Sequence, residues 1–180
     1  MPESGETVRT FVAVLLSEAA AREAERLLDR LRPLARCRWV TRAQLHITLR
    51  FLGELSLAAV ERVRSAVAAV AVQPFDIELH RAGAFPGLAR PRTLWLGGDR
   101  GASELTALAG RGNDALFGVG IPRNDRSFSP HLTLARSDGS PLPPALMREL
   151  ERVPSVAWRC SDISLMRSRL TPRGAVYTRL

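Results

Sequence analysis

Apolar and polar positions along this chain follow two periods, and the switches between them mark out short strands and amphipathic helices. Val8–Leu15 is rich in Val, Leu and Phe, too short for a buried helix, and reads as a central strand. Ser17 can cap a helix to about Ala35, in which Ala20, Ala24, Leu27, Leu28 and Leu31 recur at helical spacing with Arg and Glu between them. Cys37–Val40 reads as a short strand, and the spacing of Thr41 and Gln44 as a capping box predicts one helical turn after it. His46–Leu52 is the next strand, closed by Gly53. Ser56 caps a second helix over Leu57–Val72, with Val60, Val63, Val67 and Val70 on its inner stripe, and Pro74 ends it. Phe75–Leu79 alternates cleanly, with Phe75, Ile77 and Leu79 inward and Asp76, Glu78 and His80 outward.

The second half repeats this grammar. Phe85–Arg92 carries Pro86, Gly87 and Pro91 and reads as a loop before the strand Thr93–Leu96. A third helix is predicted from about Ser103 to Phe117, weakened by Gly110 and Gly112. Gly118–Pro130 is a loop with Arg123 and Arg126, and His131–Arg136 is a strand. Pro141–Pro144 precedes a helix to about Val153, and Ala157–Cys160, Ile163–Ser168 and Ala175–Arg179 close the chain as strands. No Gly-rich nucleotide loop follows the first strand, and the connections mix helical crossovers with direct strand pairs. An α+β fold is predicted rather than a doubly wound sheet. No linker or low-complexity stretch divides the chain, so residues 1–180 are expected to form a single domain.

One segment occurs twice. Residues 45–52 read Leu-His-Ile-Thr-Leu-Arg-Phe-Leu, and residues 130–136 read Pro-His-Leu-Thr-Leu-Ala-Arg. In a strand, positions i and i+2 share a face. His46 and Thr48 therefore project together while Ile47 and Leu49 point into a core, and His131 and Thr133 repeat this over Leu132 and Leu134. Each copy is a small polar platform on a rigid element. Two such platforms facing across a cleft place two imidazoles around one phosphate. The chain has 3 His and 9 Thr, and the chance of two such His-x-Thr spacings is on the order of one per cent. His80, on the exposed face of its strand, reads as surface.

Composition narrows the chemistry. All 26 basic residues are arginine, against 18 acidic residues, for a net charge of +8. Without lysine there is no lysyl-adenylate, Schiff base or P-loop lysine, so an ATP-dependent ligase charged on lysine is excluded. Arginine suits phosphate through its planar fork of donors. Cys37 and Cys160 give neither a disulfide framework nor zinc spacing and read as buried reduced thiols of a cytoplasmic protein. The apolar run Phe11–Leu16 is preceded by Glu3 and Glu6 and followed by Glu18, unlike a secretory leader. No stretch approaches the roughly 18 apolar residues of a membrane span.

Two His-x-Thr motifs on strands half a chain apart resemble the signature of the two-histidine phosphoesterase superfamily, and within it the RNA 2',3'-cyclic phosphodiesterases historically called 2'-5' RNA ligases. The resemblance runs from Phe11–Leu15 through Trp39–Gly53, Phe85-Pro86 to Leu94-Trp95, and Phe128–Arg136, to Ser168-Arg169-Leu170 and Val176-Tyr177. It implies a bilobal α+β fold with pseudo-twofold symmetry, in which two antiparallel sheets flanked by helices face a central cleft. It also implies metal-free, cofactor-free hydrolysis of cyclic phosphate ends to 2'-phosphomonoesters. In such a site His46 and His131 are the acid/base pair, and Thr48 and Thr133 donate to the non-bridging oxygens. Phe51 and Arg136 stand five residues after each histidine. Strict alternation puts both on the far face, but they fall at strand ends where alternation breaks, and by pseudo-symmetry a ring and a guanidinium there sandwich a base. Arg50 shares parity with His46 and is a candidate for added charge near the phosphate. The expected partner is RNA or an oligonucleotide with a 2',3'-cyclic phosphate end, met by a monomer without metal or membrane. Three alternatives remain: end joining through a 2'-5' bond by the reverse reaction, a phosphonucleotide- or RNA-binding module without turnover, and a zinc hydrolase, against which the scattered histidines speak.

Overall fold

The computed structural model describes residues 6–180. Its elements are β1 (Thr7–Leu15), α1 (Glu18–Leu31), β2 (Arg38–Trp39), β3 (His46–Ser56), α2 (Leu57–Ala68), β4 (Phe75–Leu79), β5 (Arg81–Phe85), β6 (Thr93–Gly97), α3 (Ala102–Phe117), β7 (Leu132–Arg136), α4 (Pro144–Leu150), β8 (Val156–Cys160), β9 (Ser164–Thr171) and β10 (Gly174–Arg179). Local chemistry accounts for the boundaries. The Ser17 and Ser56 hydroxyls accept from the Ala20 and Ala59 amides and start α1 and α2. The Gln44 side chain accepts from the Thr41 amide and closes a 3-10 turn over Arg42–Gln44.

The strands form two antiparallel sheets, and the class is α+β. The larger has eight strands in the order β10-β9-β1-β3-β7-β6-β5, with β2 also on β7; the smaller pairs β4 with β8. The two motif strands share the larger sheet, and a single pair, Ile47 with Leu132, joins its halves. Two helices, α1 and α3, cross over that junction. α1 follows β1 but packs on β8, whereas α3 follows β6 but packs on β3. One sheet face is buried under these helices in a cluster including Val12, Ile47, Leu94, Leu132 and Leu134. On the other face lies a small cluster of Phe11, Ala13 and Met166, edged by Leu15 and Tyr177.

Several elements depart from expectation, among them α1, which ends at Leu31 and gives way to a 3-10 turn over Arg32–Leu34. β5 falls where the sequence predicts no strand; Arg-Ala-Gly-Ala-Phe has little apolar alternation, and its pairing with β6 forms it. Gly83 is required there because a Cβ would lie 2.4 Å from the Trp95 ring. β3 continues through Gly53 to Ser56, because Gly53 adopts φ 73 where the pairing with β1 shifts register instead of ending. α2 stops at Ala68 and α4 at Leu150, each short of the apolar spacing that suggested Val72 and Val153. Gly110 and Gly112 do not interrupt α3, where Gly112 lies on the buried side.

Candidate active site

The pair Ile47–Leu132 is the centre of a local twofold relation. Both strands are antiparallel there, so one step of register either way sets His46 beside Thr133 and Thr48 beside His131. Ile47 and Leu132 are fully buried on the helix side, and the four polar side chains, all half-buried, emerge together on the opposite face. The predicted quartet is thus gathered in one place.

Each imidazole is anchored the same way. His46 Nδ1 is 2.7 Å from the Gln44 carbonyl, and His131 Nδ1 is 2.7 Å from the Ser129 carbonyl. A carbonyl only accepts, so both Nδ1 atoms carry the proton and both Nε2 atoms face the site. His46 Nε2 is 2.9 Å from Thr48 Oγ1, and the neutral ring accepts from that hydroxyl. An aromatic edge closes on each ring: Tyr177 on His46 at 5.2 Å and 90°, and Phe85 on His131 at 5.0 Å and 85°. Phe11 lies 4.8 Å from His46. Burial pushes both imidazoles below the usual histidine range despite the carbonyl contacts, helped by the other histidine at His46 and by Arg136 at His131.

Two matching bulges decide the next residues. In β3, Thr48 pairs with Ala13 but Arg50 with Val12, leaving Leu49 extra. In β7, Thr133 pairs with Trp95 but Ala135 with Leu94, leaving Leu134 extra. Both bulges sit three residues after a histidine and reverse the parity beyond it. Phe51 comes onto the histidine face, opposite Phe11 and stacked on it at 5.9 Å, with 52% of its surface exposed. Arg136 likewise shares the face of Thr133, opposite Thr93. The same bulge overturns the placement of Arg50, which turns to the helix side and donates to the Asn113 side chain and the Pro122 carbonyl. His80 is exposed, as read. Tyr177 and Phe85 were not singled out as site residues, because only long-range pairing brings β10 and β5 to the histidines. Among the described residues, no three His, Cys, Asp or Glu side chains are gathered into a group.

The 2'-5' RNA ligase superfamily matches residues 17–172. The chain belongs to the 2'-5' RNA ligase superfamily. RNA 2',3'-cyclic phosphodiesterases from Aeropyrum pernix and Archaeoglobus fulgidus are similar to this chain. The first is 38% identical over 75% of this chain and 78% of its own length. The second is 32% identical over 94% of this chain and 96% of its own. The crystal structure of a Thermus thermophilus protein superposes with a TM-score of 0.77 at 31% identity, covering 96% of this chain and 94% of that one. Escherichia coli LigT complexed with 3'-AMP gives 0.76 at 25%, covering 97% and 96%. Superfamily membership thus rests on nearly the whole chain.

Proposed function

We propose that this superfamily member hydrolyses 2',3'-cyclic phosphate ends of RNA to 2'-phosphomonoesters, with His46 and His131 as its acid/base pair. The observation that carries the reading is the register at Ile47–Leu132, which puts both Nε2 atoms and both threonine hydroxyls on one face. The names of the relatives give the substrate class.

The chemistry follows from those atoms. One neutral imidazole takes a proton from water at Nε2 as the water oxygen bonds to phosphorus. The P–O3' bond breaks, and the protonated imidazole opposite delivers its Nε2 proton to O3', leaving a 3'-hydroxyl and a 2'-phosphate. Thr48 and Thr133 donate to the non-bridging oxygens as charge gathers there. Anchoring of Nδ1 confines proton traffic to Nε2. Phe51 and Arg136, both on the site face, hold the terminal base by stacking. No step in this scheme requires a metal or cofactor. The chain acts as one bilobal, monomeric, cytoplasmic unit; no helix among the described residues is long and apolar enough to cross a membrane. The same steps with a 5'-hydroxyl terminus in place of water would join ends through a 2'-5' bond, the activity in the superfamily's name.

The test is incubation with an oligonucleotide 2',3'-cyclic phosphate in EDTA, with the product identified by mass and phosphatase sensitivity. A phosphatase-sensitive product one water heavier is expected. Turnover lost in EDTA and restored by zinc or manganese would overturn the metal-free scheme.

A further inference from the structure

We propose that Arg38 and Arg136 together form a second phosphate subsite, which takes the 5'-phosphate group of the terminal nucleotide whose cyclic phosphate lies between the histidines. The inference rests on the phosphodiesterase reading above and adds a specificity to it.

The observation is a register. β2 is only two residues long, and its pairing with β7 places Arg38 directly opposite Arg136 and Trp39 opposite Ala135. Ala135 is fully buried, and Trp39 packs inward, its indole N–H donating to the Ala35 carbonyl at 3.1 Å. The alternate residues, Arg38 and Arg136, therefore stand on the histidine face, and both are exposed. Directly opposed like charges destabilise a strand pair. Among the described residues, nothing acidic relieves this one. Among the described residues, the only side-chain hydrogen bond of Arg136 is to Thr93 Oγ1 at 3.5 Å, and Arg38 makes no ion pair. Asp138, two residues further on, is engaged with the Ser140 amide at 2.9 Å and with the charge of Arg92. Two unpaired guanidiniums on adjacent strands are a fork for an anion.

Position names the anion. Along β7 the bulge at Leu134 leaves Thr133 and Arg136 opposite Trp95 and Thr93, two residues apart on β6. That is about 7 Å between the rows. An RNA end offers its next phosphate at that reach, on O5' of the nucleotide bearing the cyclic phosphate. Arg136 can serve both roles, since a guanidinium stacks by its face and donates by its edge. A 5'-phosphorylated nucleotide or a longer RNA fills both subsites; a cyclic mononucleotide with a free 5'-hydroxyl fills one.

The experiment compares kcat/KM for adenosine 2',3'-cyclic phosphate with a 5'-hydroxyl and with a 5'-phosphate. The protein should prefer the 5'-phosphorylated compound by roughly tenfold, the worth of one charge-assisted phosphate contact. Arg38→Gln should remove most of that preference, and Arg38→Glu should reverse it, in protein of unchanged circular dichroism. Equal rates on the two compounds in the wild-type protein, or loss by the same factor on both in Arg38→Gln, would overturn the subsite while leaving the phosphodiesterase reading intact. Failure to hydrolyse either compound, or a cyclic-phosphate oligonucleotide, overturns that reading instead.

Discussion

His46 and His131 are alike in anchor, neighbours and burial, which makes the proposed pair testable at the level of single atoms. Replacing either by alanine should cost about 10²–10⁴ in rate, the usual worth of a positioned acid or base. Activity within tenfold of wild type, in protein with unchanged circular dichroism, would remove that residue from the scheme. The pH dependence has a definite sign. Both imidazoles in the free enzyme titrate below the ordinary 6.5, mainly because burial disfavours the charged ring. Activity requires one ring neutral and one protonated, so the bell of kcat/KM should centre on the acid side of 6.5, and its limbs belong to the pair. A bound phosphate anion favours imidazolium, so the alkaline limb of kcat should lie higher than that of kcat/KM. A monotonic profile would speak for simple cationic binding. Stability follows the same groups. As pH falls below 6.5 the unfolded chain takes up protons before the folded one, so the folded state loses stability through that window; above 6.5 the rings contribute nothing. Denaturant titrations at pH 5 and 7 should show this loss, reduced in the double alanine variant.

At the scale of elements, β10 carries Tyr177 against His46, and Gln44 ties it there. Its side-chain nitrogen donates to the Ala175 carbonyl at 2.6 Å, its side-chain oxygen accepts from the Thr41 amide at 2.9 Å, and its backbone carbonyl holds His46 Nδ1. Gln44→Ala should lower stability by about 1–2 kcal/mol and raise amide exchange in β10 but not in β7, read by hydrogen-exchange mass spectrometry. Unchanged exchange in β10 would mean that pairing with β9 alone holds the strand. Most elements were legible in the sequence because their rules are local: Ser17 and Ser56 cap, Phe75–Leu79 alternates, and His46 and Thr48 share a face over a span of two residues. What escaped was whatever pairing decides. The bulges at Leu49 and Leu134 leave no mark in the sequence, yet they bring Phe51 and Arg136 to the site and send Arg50 away. Arg38 owes its place to a two-residue strand, and Phe85 to a strand without an apolar signature.

At the scale of the molecule, the question is whether the net charge of +8 serves the ligand as a general field or through particular contacts. The structure separates these. Arg123, on the loop before β7, is tied to Asp114 and lies 4.7 Å over the Phe117 ring, whereas Arg38 and Arg136 face the site without carboxylate partners among the described residues. Each phosphate neutralised on a single strand contributes about −0.7 to the slope of log affinity against log salt. A terminal 2'-phosphate at the histidines and one further phosphate at Arg38 and Arg136 then give a slope of about −1.4 for a short RNA product. Anisotropy titrations over a series of salt concentrations should show this slope for the wild type and for Arg123→Gln, and about half of it for Arg38→Gln. Equal changes in both variants would assign the attraction to the diffuse field, since each removes one charge. A flat dependence in the wild-type protein would mean that the arginines do not serve RNA at all. The contrast between Arg123→Gln and Arg38→Gln therefore isolates position from charge.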